Sequence, residues 1–376
     1  MVDLMISNTD RIAANKEFLE KLWRCENDER PGFIIGYTGP RLRGGTPVTS
    51  ALFSVDGTDT VRTRLQNPDI FLKAQLDEIT GQLGFQGDFV PALTPTVGVV
   101  TIPSAFGCDV VWPENDFPTV RPVINDPEEI ADLTMPGLRD GELGRIIDYT
   151  QYFRLHTDHI FPIRVTDIQG PLDNASLIMG HNNFLLALNT HPKLVHQLLQ
   201  MITDLTIAFV RLQRNIAHDF VPSLMQPWMP DGWGVSISND DSVMISSEHM
   251  QEFGVPYFNQ LSEAFGGLFV HSCGNWLHQV PALEKISNLR GLEFGASEVP
   301  FRDVLEIFGG RVVLACRVGF NKDYRFKGME DFVRQILAAR KTNRGLFIHV
   351  DVTNGLIDDS WPVTDLDQIY SLILEA

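Results

Sequence analysis

The chain has 376 residues, and its 48 acidic against 30 basic side chains give a formal net charge of −18. A surface this acidic repels phosphate backbones and anionic lipid, which counts against nucleic acid and membrane surfaces as partners. With 44% hydrophobic and 21% charged residues, the chain buries a large core rather than staying disordered.

Residues 8–24 place Ile12, Phe18, Leu19, Leu22 and Trp23 at helical spacing, with Asn8, Thr9 or Asp10 available as a cap. This helix precedes the first strand, so it is a candidate plug or lid at one end of a barrel. Pro31 opens F-I-I-G-Y-T-G, the first predicted strand, and a loop rich in Gly, Pro and Arg follows it. A helix is predicted over 67–83. The second strand starts at Asp88, and residues 95–160 form a long excursion before the third strand at 161–169. Helices follow at 174–188 and 192–218, then a fourth strand at 224–229 and a helix over 247–265.

From there the rhythm is regular. Strands at 267–273, 289–294, 311–317 and 345–351 alternate with helices at 276–286, 300–308, 329–342 and 363–375. Eight strand–helix alternations predict one (β/α)8 barrel over 1–376, with 1–30 as a helical extension. No G-x-G-x-x-G follows the first strand, which argues against a dinucleotide-binding open sheet. No apolar run reaches the roughly 20 residues of a membrane span, and no signal peptide is evident. The four cysteines form no disulfide pattern, so the chain is expected to be soluble in a reducing cytoplasm.

The stretch G-L-F-V-H-S-C-G-N at 267–275 carries the chemistry. Side chains two apart on a strand share a face, so His271 and Cys273 point the same way at the strand's C-terminal end, where barrel enzymes place their sites. Imidazole with thiolate suits zinc, and a catalytic zinc takes three protein ligands and one open position. Glu293, Cys316, and His349 or Asp351 on neighbouring strands are candidates for the third ligand. The plainer reading is a hydrogen-bonded core histidine beside a small buried cysteine. Arg41, Arg43, Arg164 and Arg317 can clamp an anionic substrate. Asp167, Asp231, Asp240 and Asp241 can exchange protons, although Asp240 and Asp241 also read as loop and cap. Tyr37, Trp228, Trp233, Phe320 and Tyr324 can wall a flat or methylated substrate.

Several segments resemble the uroporphyrinogen decarboxylase superfamily: H-S-C-G at 271–274, R-P-G-F-I-I-G-Y at 30–37, M-I-S-S-E-H-M-Q-E-F-G-V-P-Y-F at 244–258 and H-P-K-L-V-H-Q-L-L at 191–199. The resemblance covers nearly the whole chain and implies a (β/α)8 barrel with its site at the C-terminal mouth. True decarboxylases use an arginine-rich segment after the first strand and an aspartate on the second. Here that first-strand signature, with its run of arginines and a glutamine, is missing, and the second strand has Asp88 at its start but no aspartate at its end. The resemblance is closer to the zinc methyltransferases that move methyl groups between a corrinoid protein and a thiol. It implies a zinc cofactor, a corrinoid carried by a partner protein (no D-x-H-x-x-G pattern occurs in the chain), and a small methyl donor or thiol acceptor. In that branch a later cysteine on the last strand closes the site, whereas here the last strand reads H-V-D-V-T-N-G.

The resulting expectation assigns metal to His271, Cys273 and Cys316, with Asp351 or His349 as alternatives to the last. It assigns catalysis to Asp241, Glu293 and Arg317, and substrate binding to Tyr37, Arg41, Asp167 and Trp228. The competing functions are a decarboxylase-like lyase and a barrel that only binds a small molecule or a corrinoid protein. A homodimer is compatible with the apolar helices.

Overall fold

Short β-rich apolar runs, each followed by an amphipathic helix, fold into a parallel ring. The computed structural model describes residues 7–37, 60–319, 326–352 and 361–376. Its strands are β1 (Gly32–Tyr37), β2 (Asp109–Val111), β3 (Thr119–Arg121), β4 (Ile163–Arg164), β5 (Phe220–Val221), β6 (Val235–Ser238), β7 (Leu268–Ser272), β8 (Leu289–Gly295), β9 (Val313–Arg317) and β10 (Leu346–Val352). Six of them form one parallel sheet in the order β1-β10-β9-β8-β7-β6.

Sparser backbone bonds carry the ring from β6 round to β1. Ser236 N–H donates to Pro222 O at 2.9 Å, and β5 pairs in parallel with β4. Arg164 N–H then donates to Leu93 O at 2.8 Å, and Asp88 N–H donates to Phe33 O at 2.8 Å. The fold is an α/β barrel of the (β/α)8 type, regular through β6–β10–β1 and irregular opposite. The excursion over 95–160 holds the β2–β3 hairpin and the helix Glu142–His156.

The predicted fourth strand is corrected. Residues 224–229 are loop, and the strand before them is β5. The loop instead returns to the N-terminal end of the barrel, and β6, which the sequence presents as loop, rises beside β7. Its V-S-I-S run is too short and too flanked by glycine to announce itself as a strand. The helix predicted over 247–265 contains a π turn at Met250–Gly254 between Ser247–His249 and Val255–Phe265.

Strand alternation divides the core into two layers. Ile34, Phe269, Val313, Ala315 and Phe347 point into the barrel and pack with Leu19, Leu22 and Trp23 of the helix Thr9–Trp23. Val270, Phe294, Leu314, Cys316 and Ile348 point outward under the surrounding helices. Helix Thr9–Trp23 therefore plugs the barrel at its N-terminal end. Trp23 is 4% exposed, meets Phe269 edge-on at 5.2 Å between centroids, and donates its indole N–H to Trp228 O at 2.8 Å. Trp23→Ala is expected to cost about 3–5 kcal/mol, because the cavity opens in the middle of the plug. Urea unfolding with an unchanged slope and a lowered midpoint is the check.

Candidate metal centre

Residues Leu268–Ser272 form β7 because V, F and L fit a pleated buried surface, and Gly274 ends the run at φ +75, a conformation that favours glycine. Its backbone N–H donates to Glu298 Oε2 at 2.9 Å. His271 and Cys273 thus leave the strand on the inward face, two residues above Phe269. The third group comes from the neighbouring strand. β6 pairs Ser238 with His271, and Asn239 N–H donates to His271 O at 2.8 Å. The chain then turns through Asp240–Met244, which brings the Asp240 carboxylate over the end of β7.

Asp240 Oδ1 accepts the Cys273 N–H at 2.6 Å and lies 3.5 Å from His271 Nε2, which is 3.3 Å from Cys273 Sγ. One ligand atom from each of Asp240, His271 and Cys273 lies within 4.8 Å of the others, and among the described residues this is the group that can hold a metal ion.

Buried charge supports this cluster from behind. His271 Nδ1 bonds Glu293 Oε2 on β8, and Arg317 Nε on β9 meets Glu293 Oε1 at 2.7 Å. Arg317 Nη2 also donates to Cys273 Sγ at 3.4 Å. Burial favours neutral Glu293, but the His271 and Arg317 cations outweigh it and hold the carboxyl down to about 2. Burial likewise opposes the His271 cation, and Glu293 outweighs it, leaving the imidazole well above its ordinary value. The Asp240 turn is itself anchored. Buried Asp173, on helix Pro171–Met179, accepts the N–H groups of Asp240 and Asp241 at 3.0 Å each. Burial and the two neighbouring aspartates push the Asp173 carboxyl well up.

The expected third ligand, Cys316, is corrected. It is fully buried in the outer layer, 3.9 Å from Leu314 O, and is not in the metal-binding group. Arg317 and Cys316 are adjacent on β9, so only one can face inward, and that is Arg317. Cys316→Ala is therefore expected to leave zinc stoichiometry unchanged while costing about 1 kcal/mol of packing. Metal analysis of the purified variant checks the first half, and denaturant unfolding the second.

Asp241 points away from Cys273. Its Oδ1 lies 3.0 Å from His181 Nδ1, and burial raises its carboxyl. Of the two aspartates it is Asp240, and not Asp241, that sits beside His271 and Cys273. Trp228 is also corrected as a substrate contact. It packs against the N-terminal plug, with Lys16 Nζ 5.3 Å from its ring centroid, because the 224–234 loop descends to that end. Asp231 lies on the same descending loop and pairs with Arg214 at 2.9 Å. Asp167 is held by Gln169 Nε2 at 2.6 Å, and burial raises its carboxyl, with the His271 and Asp240 charges also acting on it. His349 acts electrostatically on Glu293. Arg41, Arg43, Phe320 and Tyr324, and the side chains of Tyr37 and Asp351, lie outside the described residues.

Sequence reasoning passed over Asp173, and it weighed Asp240 as a proton carrier or a loop and cap residue rather than as a metal ligand. The signals were there in part: G-P-L-D starts a helix at 170–173, and D-D follows a short apolar run. At Gly170 a Cβ would come within 2.3 Å of Ser238 O, so the β4 and β6 ends are pressed together there. That proximity brings Asp173 under the Asp240 turn, and no local pattern encodes it.

A family model described as uroporphyrinogen decarboxylase (URO-D) matches residues 90–315, more than half of the chain. The chain belongs to the URO-D family. Within it, the uroporphyrinogen decarboxylase of Xanthomonas campestris pv. campestris strain B100 is 24% identical over 172 residues. That match spans 44% of this chain and 44% of the relative, so less than half of each is aligned. Among solved structures, a methyltransferase from Methanosarcina mazei aligns over 95% of this chain and 96% of its own, with a TM-score of 0.63 and 16% identity. At that identity the likeness establishes the shared barrel. All four cysteines of this URO-D family member are free, and among the described residues no helix is long and apolar enough to cross a membrane.

Proposed function

We propose that this URO-D family protein is a methyltransferase. It moves a methyl group between a methylated small molecule or thiol and a corrinoid protein, with zinc held by Asp240, His271 and Cys273. The observation that carries this reading is the convergence of one oxygen, one nitrogen and one sulfur ligand at the barrel mouth. That donor set suits zinc and leaves a fourth position open. Zinc bound there would supply Lewis acidity suited to a substrate thiol or a methyl ether.

The protein's own groups prepare that position. Glu293 engages His271 Nδ1, which turns Nε2 toward Cys273 and Asp240, as a carboxylate behind a ligand histidine does in metal sites. Arg317 fixes Glu293 and reaches the Cys273 sulfur. Asp173 holds the Asp240 turn in place. The Methanosarcina mazei protein with the same barrel is described as a methyltransferase, which is in keeping with this reading.

A carboxy-lyase is the second reading. Asp167, with its raised carboxyl beside His271 and Asp240, favours it as a proton carrier. Asp88 does not serve that role, because Arg30 binds it in a bidentate pair at 2.7 and 2.8 Å at the start of its segment. The test combines zinc content with transfer of the methyl group from methylcobalamin to a small thiol, followed by the cobalamin spectrum. Zinc near one per chain with zinc-dependent demethylation supports methyl transfer. Metal-free protein that releases carbon dioxide from a porphyrinogen supports the lyase.

A further inference from the structure

A cavity of about 260 Å3 opens inside the barrel between β1, β4, β10 and the helix Pro68–Gln82. Apolar Ile34, Phe89 and Ala92 line it, together with polar Arg164, Gln226 and His349. Arg164 is 4% exposed. Its Nη1 donates to Ser223 O at 2.8 Å, but its buried Nη2 meets no hydrogen-bond partner among the described residues. Burial pushes the guanidinium down to about 10, and among the described residues no carboxylate bonds it. Gln226 Oε1, on the same cavity, is also buried without a partner.

A buried guanidinium bonded only to carbonyl and hydroxyl oxygens is poorly compensated for the water it has lost. Here Arg164 lines a space large enough for a small organic molecule and too small for a tetrapyrrole. A guanidinium edge recognises a carboxylate. Glu78 also lines the cavity, and its carboxylate disfavours a doubly charged phosphate ester over a singly charged group.

We propose that this cavity binds a small monocarboxylate. The carboxylate lies against the Arg164 guanidinium and the apolar body against Ile34, Phe89 and Ala92. His349 both lines the cavity and acts on Glu293, so the bound molecule lies beside the network that backs the metal centre. The inference deepens the methyl-transfer reading by naming its substrate class. It rests on that reading for the reaction, and not for the binding.

The test is a calorimetric titration of the full chain with benzoate, using benzamide as the uncharged isostere, with zinc measured on the same samples. Saturable benzoate binding is expected, with benzamide at least about tenfold weaker, since a charged partner on a buried donor is worth more than about 1.4 kcal/mol. Arg164→Met removes the cation, and Ala92→Leu fills the cavity while leaving Arg164 in place. Each is expected to weaken benzoate at least about tenfold. Should Arg164→Met not fold, Ala92→Leu carries the test alone. Equal affinity for benzoate and benzamide, equal binding to parent and variants, or no benzoate binding overturns the proposal. Zinc without benzoate leaves methyl transfer standing and removes the subsite. Benzoate without zinc does the reverse.

Discussion

Cys273→Ser is expected to reduce bound zinc from about one per chain to almost none, and to reduce methyl transfer by at least about 100-fold. The soft donor goes, and a serine hydroxyl in its place must ionise at much greater cost to bind the ion. His271→Ala gives the same loss, and Asp240→Asn a smaller one, because an amide oxygen remains in position without its charge. The three replacements together test the ligand set residue by residue, with Cys316→Ala as the control expected to leave zinc untouched. Zinc retained in full by Cys273→Ser would remove the sulfur from the site. The affinity also falls as pH is lowered. Zinc requires a neutral Nε2 on His271, and the Glu293 carboxylate stabilises the protonated ring, so protons compete strongly for that nitrogen. A competition titration against a chelator at several pH values reads this directly, and an affinity independent of pH would contradict it.

Glu293→Ala carries the second large effect, on stability as well as on metal. Glu293 is 7% exposed and lies between the His271 imidazole and the Arg317 guanidinium. Removing it takes from buried Arg317 its nearest counter-charge and from His271 the main group that favours its cation, at a cost of about 3–5 kcal/mol. Zinc affinity is expected to fall by about 10–100-fold as well, because His271 loses the partner that orients it. Glu293→Gln keeps the shape and loses only the charge, so it separates orientation from electrostatics. Urea unfolding of the metal-free protein measures the first effect, and a midpoint unchanged in Glu293→Ala would show that the network contributes nothing.

The pH dependence of that metal-free stability has a definite sign. The folded Glu293 value is depressed, so its contribution is complete above the ordinary carboxylate value of about 4.3 and is lost as pH falls toward about 2. The folded His271 value is raised, so its contribution is complete below the ordinary imidazole value of about 6.5 and is lost as pH rises through the folded value. The network therefore stabilises most between about 4.3 and about 6.5.

These two predictions rest on residues of different legibility. His271, Glu293 and Arg317 were readable as mouth residues, because each closes an apolar run and period-two alternation fixes its face. The plug helix was readable from the spacing of Leu19, Leu22 and Trp23. Trp228 was misplaced because an aromatic in a loop carries no periodicity to say which end of the barrel the loop visits. The loop's descent to the plug is set by packing against Trp23 and Lys16.

The sequence by itself determined the barrel, its N-terminal plug and the pairing of His271 with Cys273, because strand and helix periods are local properties of the chain. The tertiary structure decided the rest of the site. Whether Asp240 or Cys316 joins that pair depends on the register of β6 against β7 and on the direction in which β9 turns its alternate side chains. Both are set by long-range packing: β6 must align Ser238 with His271 before Asp240 can turn over the strand end, and Arg317 must face inward to meet Glu293, which turns Cys316 outward among the helices.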